Sequence, residues 1–194
     1  MSAKHKPLRT SHTTVHTTLS NDQLRQLLQI AGEDPRLQDL HDVASIVSYT
    51  GLRRGELEIL RWSDVEFDNS RFVVHSPKAM SGRYIPFGAK SRQILEALRV
   101  RNPEAVFVLG KSPQLVLHRV LLQLRAVARK MGSGPVSLHS LRHSFFRRLL
   151  IAGADPSTVM FIGGYRGYSP IKSFLTPAQK CEHATGDLVR LAQI

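Results

Sequence analysis

The chain of 194 residues is poor in cysteine, in acidic residues and in aromatic residues. Cys181 is its single cysteine, which excludes an internal disulfide and fits a reducing cytoplasm. No run of about 18 apolar residues occurs that would span a bilayer. The basic N-terminus leads into Thr and His rather than an apolar core, so we expect no secretory signal and a cytoplasmic, nucleoid-associated protein.

Motifs that bind nucleotides or structural zinc are also missing. There is no GxxxxGK[ST] loop and no Cys/His pair with zinc-finger spacing, so we expect no nucleotide cofactor, no metal and no small-molecule substrate. Positive charge is abundant, since 27 Lys and Arg against 15 Asp and Glu give a formal net charge of +12. This excess favours a polyanionic partner, with double-stranded DNA ahead of a membrane surface. RNA is a more distant alternative, because aromatic residues make up only 7% of the chain and leave few platforms for stacked bases.

The spacing of apolar residues predicts an α+β fold, a mainly α-helical single domain with a small antiparallel β-sheet near 67–87. Residues 1–18 are rich in Thr, His and Lys and lack periodicity, so they are expected to form a flexible basic arm ahead of a domain covering 19–194. Short strands are predicted within 67–74, where Asp68-Asn69-Ser70 are turn residues, and at 83–86, with a hairpin at 77–82 between them. Helices are predicted after the N-cap Ser20, at 40–50, 56–60 and 91–100, from Pro113 onward, and at 139–152, 156–163 and 187–193.

Two arginines lie in settings that suit a phosphate. Arg53 follows a Thr-Gly break at a helix start, where free backbone N–H groups favour an anion. Arg142 comes three residues after His139, so the two share a helical face once the helix has begun. An arginine fork donates to phosphate oxygens two at a time and stays charged. On residue type alone, a shared phosphate site and ordinary surface charge both stay open.

Two histidines and a lysine extend the candidate set. His139 and His143 are four residues apart, which is also a metal-ligand spacing, but no Glu completes an HExxH pattern and no third ligand is obvious. Hydrogen bonding or acid–base work on a phosphate oxygen suits His139 better, and His143 suits a packed, supporting position. Lys78 lies in a Gly-containing turn, where it serves either as an ordinary turn lysine or as a mobile acid.

Three ordered boxes in this sequence resemble those of the tyrosine recombinase (phage integrase) family. Thr50-Gly-Leu-Arg-Arg-Gly-Glu-Leu57 is similar to the family's first arginine box, and His139-Ser-Leu-Arg-His143 to its second, H-x-L-R-H. Lys78, ahead of Arg83-Tyr-Ile-Pro86, stands where the family has its β-hairpin lysine. The resemblance covers roughly residues 19–177. It implies the fold of a recombinase catalytic domain and double-stranded DNA as partner.

The resemblance also implies a reaction and a role for each residue. In this family a tyrosine attacks a DNA phosphodiester, forms a 3′-phosphotyrosyl link and releases a 5′-hydroxyl, without metal or ATP. By the same resemblance, Arg53 and Arg142 would stabilise the charge on the phosphorus centre, with Glu56 orienting the first arginine. Lys78 would protonate the leaving oxygen and His139 would assist proton transfer.

The third box departs from the family pattern at two positions. The family has Leu-Leu-Gly-His, with the tyrosine nine residues after the histidine, whereas this chain has Ile162-Gly-Gly-Tyr165 and then Phe174. Phenylalanine has no hydroxyl and cannot attack phosphorus. The chain is therefore a naturally silent relative that binds DNA, an engineered Tyr→Phe form, or a protein whose nucleophile has moved to Tyr168 or Tyr165. Tyr165 is open to two further interpretations: a phenolic donor to the phosphate, or simple loop packing.

A second departure concerns the ends of the chain. Only about eighteen polar residues precede Leu19, so the helical core-binding domain that relatives usually carry is expected to be absent. Salt-sensitive binding with little sequence preference follows from that expectation. The tail at 180–194 either packs on a neighbouring protomer in a homo-oligomer on DNA or stays with its own chain. The rival to a recombinase is a catalytically inactive DNA-binding regulator that uses the same basic cleft.

Overall fold

Helix α2 is buried around nearly its whole circumference and forms the centre of the fold. In the computed structural model, which describes residues 18–75 and 82–167 together with Ile171 and Phe174, α2 packs against α1, α4, α5 and α6. Leu40, Val43 and Ile46 of α2 have no exposed surface. The helices are α1 Asn21–Glu33, α2 Gln38–Thr50, α3 Arg54–Ile59, α4 Ala89–Arg101, α5 Pro113–Lys130, α6 Leu138–Ile151 and α7 Pro156–Gly163.

The helix boundaries follow from local sequence. Ser20 accepts a hydrogen bond from the Gln23 backbone N–H while the Gln23 side chain accepts from Ser20, a reciprocal cap that begins α1. At the start of α7 the Asp155 side chain accepts from the Ser157 backbone N–H, and Pro156 takes the first turn, where a missing N–H costs nothing. Gly51 ends α2 in the left-handed conformation, at φ 68°. The predicted N-cap at Ser20, the predicted end of α2 at residue 50 and the predicted bounds of α7 are confirmed.

The sheet is antiparallel, with the strand order β1 Val65–Glu66, β2 Arg71–Val74 and β3 Arg83–Pro86. The predicted turn residues Asp68, Asn69 and Ser70 do lie in the turn between β1 and β2, which covers residues 67–70, so β2 begins at Arg71 and not at Phe67. Ser70 adopts a positive φ of 49° and its N–H donates to the Phe67 carbonyl, which reverses the chain. The predicted strand at 83–86 and the antiparallel pairing are confirmed, and most of the predicted hairpin, residues 76–81, lies outside the described residues.

Leu60 was predicted to continue helix α3, and that prediction was wrong. The helix ends at Ile59, and Leu60 is extended. The reason is a competing backbone pairing: the Leu60 carbonyl accepts from the Val108 N–H, and the Trp62 N–H donates to the Val106 carbonyl. Leu60 is still buried in the core, which is what its apolar spacing indicated.

Helices α6 and α7 and strand β3 bring the N-terminus of α3 together with the C-terminus of α7. Helix α6 packs along α2, and α7 contacts both α6 and β3. Three parts of the chain that are far apart in sequence therefore meet at one edge of the core. The architecture confirms the predicted mainly helical α+β domain. Over the described part of the chain, no helix is long and apolar enough to cross a membrane.

Candidate active site

A cavity of about 580 Å³ opens where α3, α6 and the segment after α7 meet. Its lining is rich in cationic side chains and, within the described residues, contains no carboxylate. The predicted residues Arg53, His139, Arg142, His143, Tyr165 and Phe174 all line it, together with Leu52, Arg54, Gly55 and Leu138. The structure thus gathers most of the candidate residues around one space that favours an anion.

Arg53 is held by the end of helix α7 and by Glu56. Its Nη2 donates to the carbonyls of Gly163 at 2.5 Å and Gly164 at 2.9 Å, and its Nη1 donates to Glu56 Oε1 at 2.8 Å. The Arg53 backbone N–H donates to the other Glu56 oxygen at 2.8 Å. One of the backbone donors that the sequence offered to an anion is therefore already occupied by Glu56.

Arg142 is almost fully buried, with 3% of its surface exposed. Its Nη2 donates to the Gly163 carbonyl at 2.7 Å, the same oxygen that Arg53 uses, and its Nη1 donates to the carbonyl of Gly51. Burial lowers the pKa of the Arg142 guanidinium, and the Tyr165 side chain opposes that effect. An arginine stays protonated in such a setting, so Arg142 supplies a fixed positive charge.

These contacts leave donors unused on both guanidiniums. A guanidinium has five N–H groups. Among the described residues, the bonds of Arg53 and Arg142 go to carbonyls and to Glu56 and do not involve either Nε–H. Since the carbonyl contacts fix both planes, the remaining donors are held in place without being consumed. That combination suits a phosphate oxygen, which needs donors already oriented.

Glu56 joins two arginines, Arg53 and Arg83. Its Oε1 accepts from Arg53 Nη1 at 2.8 Å and from Arg83 Nη2 at 2.7 Å. Burial acts to raise the pKa of the Glu56 carboxyl, but the Arg53 backbone hydrogen bond, the Arg83 charge and the two side-chain hydrogen bonds outweigh it, so the pKa is lowered. Glu56 is therefore ionised at neutral pH and orients Arg53, in keeping with its predicted supporting position.

Arg83 is a site residue that sequence reasoning missed. Its side chain is only 11% exposed, and its Nε donates to the Ile162 carbonyl at 2.9 Å while its Nη2 reaches Glu56. The sequence did contain a signal: Arg83 is two residues before Ile85, so alternation in β3 places it on the buried face of the strand. An arginine on that face needs a carboxylate or carbonyls.

Three arginines thus end on three successive carbonyls at the C-terminus of α7. The carbonyls of Ile162, Gly163 and Gly164 accept from Arg83, from Arg53 and Arg142, and from Arg53, respectively. The last carbonyls of a helix have no partner within the helix and carry its partial negative charge. The end of α7 therefore orders the cationic wall of the cavity.

Glycine is required at position 164 for two reasons: its backbone conformation and the closeness of two guanidiniums. It adopts φ 59°, and a Cβ there would lie 3.0 Å from Arg53 Nη1 and 3.1 Å from the Arg83 guanidinium. We expect Gly164→Ala to lower the free energy of unfolding by about 2 kcal/mol, from left-handed strain and displaced guanidiniums. Denaturant unfolding would measure this.

A matched control separates the two causes. Gly132 also has a positive φ, of 63°, but no atom lies within 4 Å of a Cβ built there. Gly132→Ala therefore reports backbone strain alone, and the excess loss in Gly164→Ala reports the guanidinium contacts. Equal losses in the two variants would contradict the packing at Gly164.

The two histidines share a face of α6, as predicted. Their ring centroids are 4.1 Å apart, with His139 exposed at the mouth of the cavity and His143 half-buried. His143 packs edge-on against Phe174 at 4.6 Å. Within the described residues, no group of three or more His, Cys, Asp or Glu lies close enough to hold a metal ion.

Tyr165 and Phe174 belong to one aromatic cluster. Both rings lie near Phe146, and their own centroids are 6.4 Å apart. Phe174 is 4% exposed, and its N–H donates to the Ile171 carbonyl at 2.8 Å. The Tyr165 hydroxyl is buried, and no described residue accepts or donates a hydrogen bond with it at bonding geometry.

Some predicted features lie outside the described residues. Lys78, Tyr168, the arm before Thr18 and the tail at 180–194 are outside them.

Arg148 is half-buried and donates to the Ser48 carbonyl at 2.5 Å. Burial lowers the pKa of Arg148, as expected for a cation packed against the end of α2.

Comparison with known proteins identifies the family. The sequence pattern of the Phage integrase family matches residues 17–178, most of the chain. This chain belongs to the phage integrase family. That match has nearly the same extent as the resemblance in the boxes around Arg53 and Arg142, which confirms the resemblance.

Among curated members of the phage integrase family, tyrosine recombinase XerC of Shewanella sp. (strain W3-18-1) is 30% identical over 155 residues, which are 76% of this chain and 51% of the relative. XerC of Pediococcus pentosaceus is 27% identical over 161 residues, which are 76% of this chain and 53% of the relative. The chain therefore spans about half the length of the curated relatives it matches.

Solved structures show the same fold. The integrase of transposon Tn1549, solved in complex with circular intermediate DNA, superposes with a TM-score of 0.73 at 20% identity and covers 89% of this chain and 66% of that one. XerA recombinase superposes with a TM-score of 0.67 at 24% identity, covering 88% of this chain and 65% of that one. The predicted tyrosine-recombinase catalytic-domain fold is confirmed.

Proposed function

We propose that this chain binds duplex DNA and grips one phosphodiester between Arg53 and Arg142. The observation that carries the proposal is the shared carbonyl of Gly163, which both guanidiniums use while keeping unused donors at a common cavity. Two forks held by one oxygen are close enough to meet the oxygens of a single phosphate. The net charge of +12 supports a polyanionic partner.

The further residues take the roles that their positions favour. His139 lies at the exposed mouth of the cavity, where it donates to or exchanges a proton with a phosphate oxygen. Glu56, which also binds Arg83, fixes the orientation of Arg53 through a hydrogen bond. His143 supports the site by packing against the Phe174 ring. Lys78 would supply a proton to the 5′-oxygen as it leaves phosphorus. In this scheme the chain needs no cofactor.

The proposed reaction class is phosphodiester transfer in site-specific recombination or integration, limited by the residue at the nucleophile position. The relatives are tyrosine recombinases, and the Tn1549 integrase was solved with DNA, as was XerH recombinase bound to its difH substrate. Phe174 carries no hydroxyl, so the chain as it stands does not form a phosphotyrosine there. DNA binding is retained in this proposal, and cleavage through position 174 is not.

A second candidate function is a catalytically inactive DNA-binding regulator. The observation that favours it is the packing of Phe174, which is 4% exposed and lies within an aromatic cluster with His143, Phe146 and Tyr165. A residue this well packed contributes to stability without any chemistry. Both functions use the same cleft. In both, we propose that several copies assemble on DNA and that the protein lies beside the chromosome.

The salt dependence of duplex binding tests the phosphate grip. We expect Arg53→Gln to weaken binding to a short mixed-sequence duplex about tenfold at low salt, because a charge-assisted contact is lost. The slope of log K against log salt should fall by about 0.9 for that one phosphate contact. Fluorescence anisotropy over a salt series measures both quantities.

Arg25→Gln is the matched control. Arg25 lies on α1, its side chain is 77% exposed, and it pairs with Asp22 rather than lining the cavity. Both variants lose one positive charge, so a general electrostatic effect would appear equally in each. If Arg25→Gln lowers the affinity and the slope as much as Arg53→Gln does, the cavity is not the phosphate site.

A further inference from the structure

Gly163 and Tyr165 fit together as a pair. A Cβ built on Gly163 would lie 2.3 Å from Tyr165 Cε2 and 2.4 Å from Cδ2, so the Tyr165 ring occupies the space that a side chain at 163 would take. Gly163 lies within helix α7 and has no left-handed conformation to require glycine. Room for the ring is therefore the physical reason for glycine at this position.

The ring placed in that space lies beneath both arginines of the cavity. The Arg142 guanidinium carbon is 5.3 Å from the Tyr165 ring centroid, and that of Arg53 is 5.8 Å away. A guanidinium within about 6 Å of a ring face is attracted by the electron-rich face, more strongly where water is excluded. One ring thus attracts two cations that would otherwise repel each other across the site.

The ring itself is held from behind. Phe146 packs edge-on against it at 5.6 Å, and Phe174 lies 6.4 Å away. The Tyr165 N–H donates to the Met160 carbonyl at 3.0 Å, which fixes the backbone just after the helix. The ring is consequently a rigid surface and not a loop side chain free to turn outward.

We propose that Tyr165 is a positioning residue whose ring, seated in the space left by Gly163, holds Arg53 and Arg142 together at the spacing of one phosphodiester. The inference rests on the proposed function of the cavity. The inference assigns this role to the ring face, because the hydroxyl is buried and has no hydrogen-bond partner among the described residues. It also makes Gly163 and Tyr165 one functional unit.

Four variants separate the ring from the hydroxyl. Tyr165→Phe keeps the ring, Tyr165→Leu removes it, and Gly163→Ala displaces it with a single methyl group. Gly163→Ala/Tyr165→Leu removes the clash together with the ring. Gly167→Ala is the matched control, since no atom of the described residues lies within 4 Å of a Cβ there. Each is tested for binding to the same mixed-sequence duplex across a salt series, below the lowest thermal midpoint of the set.

We expect Gly167→Ala to bind as the unchanged chain does, within about twofold, and Tyr165→Phe, which keeps the ring face, to bind clearly more tightly than Tyr165→Leu. Tyr165→Leu and Gly163→Ala should weaken binding about five- to tenfold, as expected for losing two cation–π contacts. Their slope of log K against log salt should fall by about one, because the arginines no longer meet the phosphate together. The double variant should match Tyr165→Leu.

Other outcomes overturn the inference in distinguishable ways. Loss of binding in Tyr165→Phe would assign the role to the hydroxyl. A weaker Tyr165→Leu with an unchanged slope would mean that the ring contacts DNA directly. If Tyr165→Leu and Gly163→Ala bind normally while Arg53→Gln is weakened, the positioning role fails and the phosphate site stands. If Arg53→Gln also binds normally, the proposed function fails and the inference falls with it.

Discussion

Phe174→Tyr is expected to turn a chain that forms no covalent adduct with DNA into one that does. Phe174 lines the same cavity as Arg53, Arg142 and His139, so a hydroxyl added to its ring enters a site already supplied with fixed positive charge. Such charge lowers the barrier to attack at phosphorus by stabilising the anionic transition state. The phenolic oxygen would bond to phosphorus as the bond from phosphorus to the 5′-oxygen breaks, and the phenol proton would in net pass to the 5′-oxygen, which leaves as a hydroxyl.

The measurement is a denaturing gel of protein incubated with a nicked suicide duplex carrying a recombination site from the source DNA. The unchanged chain should give no shifted band, and Phe174→Tyr should give one. Phe174→Tyr/Arg53→Gln is the control, and its adduct should form about 100-fold more slowly because a transition-state donor is gone.

Each contrary result on the gel supports a different conclusion about the chemistry of this chain. An adduct from the unchanged chain would place the nucleophile elsewhere, with Tyr168 the first residue to replace. No adduct from Phe174→Tyr on a duplex that it binds would favour the DNA-binding regulator. An equal adduct from the Arg53→Gln double variant would remove Arg53 from the chemistry.

Glu56→Gln is expected to lower the free energy of unfolding by about 3 kcal/mol. Glu56 and Arg83 are both largely buried, with side chains 12% and 11% exposed, and the carboxylate compensates the charges of Arg83 and Arg53. The amide keeps the shape but leaves a buried guanidinium without a counter-charge. Denaturant unfolding at neutral pH gives the size of the loss.

The pH dependence provides an independent check of this prediction. The pKa of Glu56 is lowered in the folded chain, so its stabilising contribution is present above the ordinary glutamate pKa of about 4.3 and is lost as the pH falls through the folded value. The stability difference between the two proteins should therefore be largest near neutral pH and shrink in acid. A difference that grows in acid would contradict the assignment.

Glu66→Gln is the matched control for Glu56→Gln. Glu66 also pairs with an arginine, Arg71 at 2.6 Å, but the pair lies at the surface of the sheet. Solvent screens such pairs, so the stability of the chain should change little. A loss as large as that in Glu56→Gln would mean that burial is not what makes the Glu56 network strong.

The sequence predicted features that depend on local patterns and missed those that depend on distant partners. The caps at Ser20, Gly51 and Asp155 were predictable because each is decided within a few residues. Leu60 was misassigned because its backbone pairs with residues near 108, which helical periodicity does not reveal. The turn at Asp68, Asn69 and Ser70 was predictable from its residue types, whereas the two-residue strand β1 before it is too short to show an alternating pattern.

The candidate site shows the same division. Arg53, His139 and Arg142 were identified from their motifs, and the structure brings them to one cavity. Arg83 was missed because its importance comes from a carboxylate 27 residues away and a carbonyl 79 residues away. The role inferred for Tyr165 was also beyond reach, because only coordinates show that its ring fills the space over Gly163.

The convergence of arginines on the end of α7 has a consequence for when the site forms as the chain is synthesised and folds. The hydrogen bonds from Arg53 and Arg83 to that helix end connect residues 110 and 79 positions apart, so closing these contacts requires nearly the whole domain to be in place. During synthesis, the first arginine box emerges long before the carbonyls that orient it. A nascent chain that stops short of α7 therefore carries the charges of the site without its geometry. The arrangement that binds a single phosphate forms only when α7 has been synthesised.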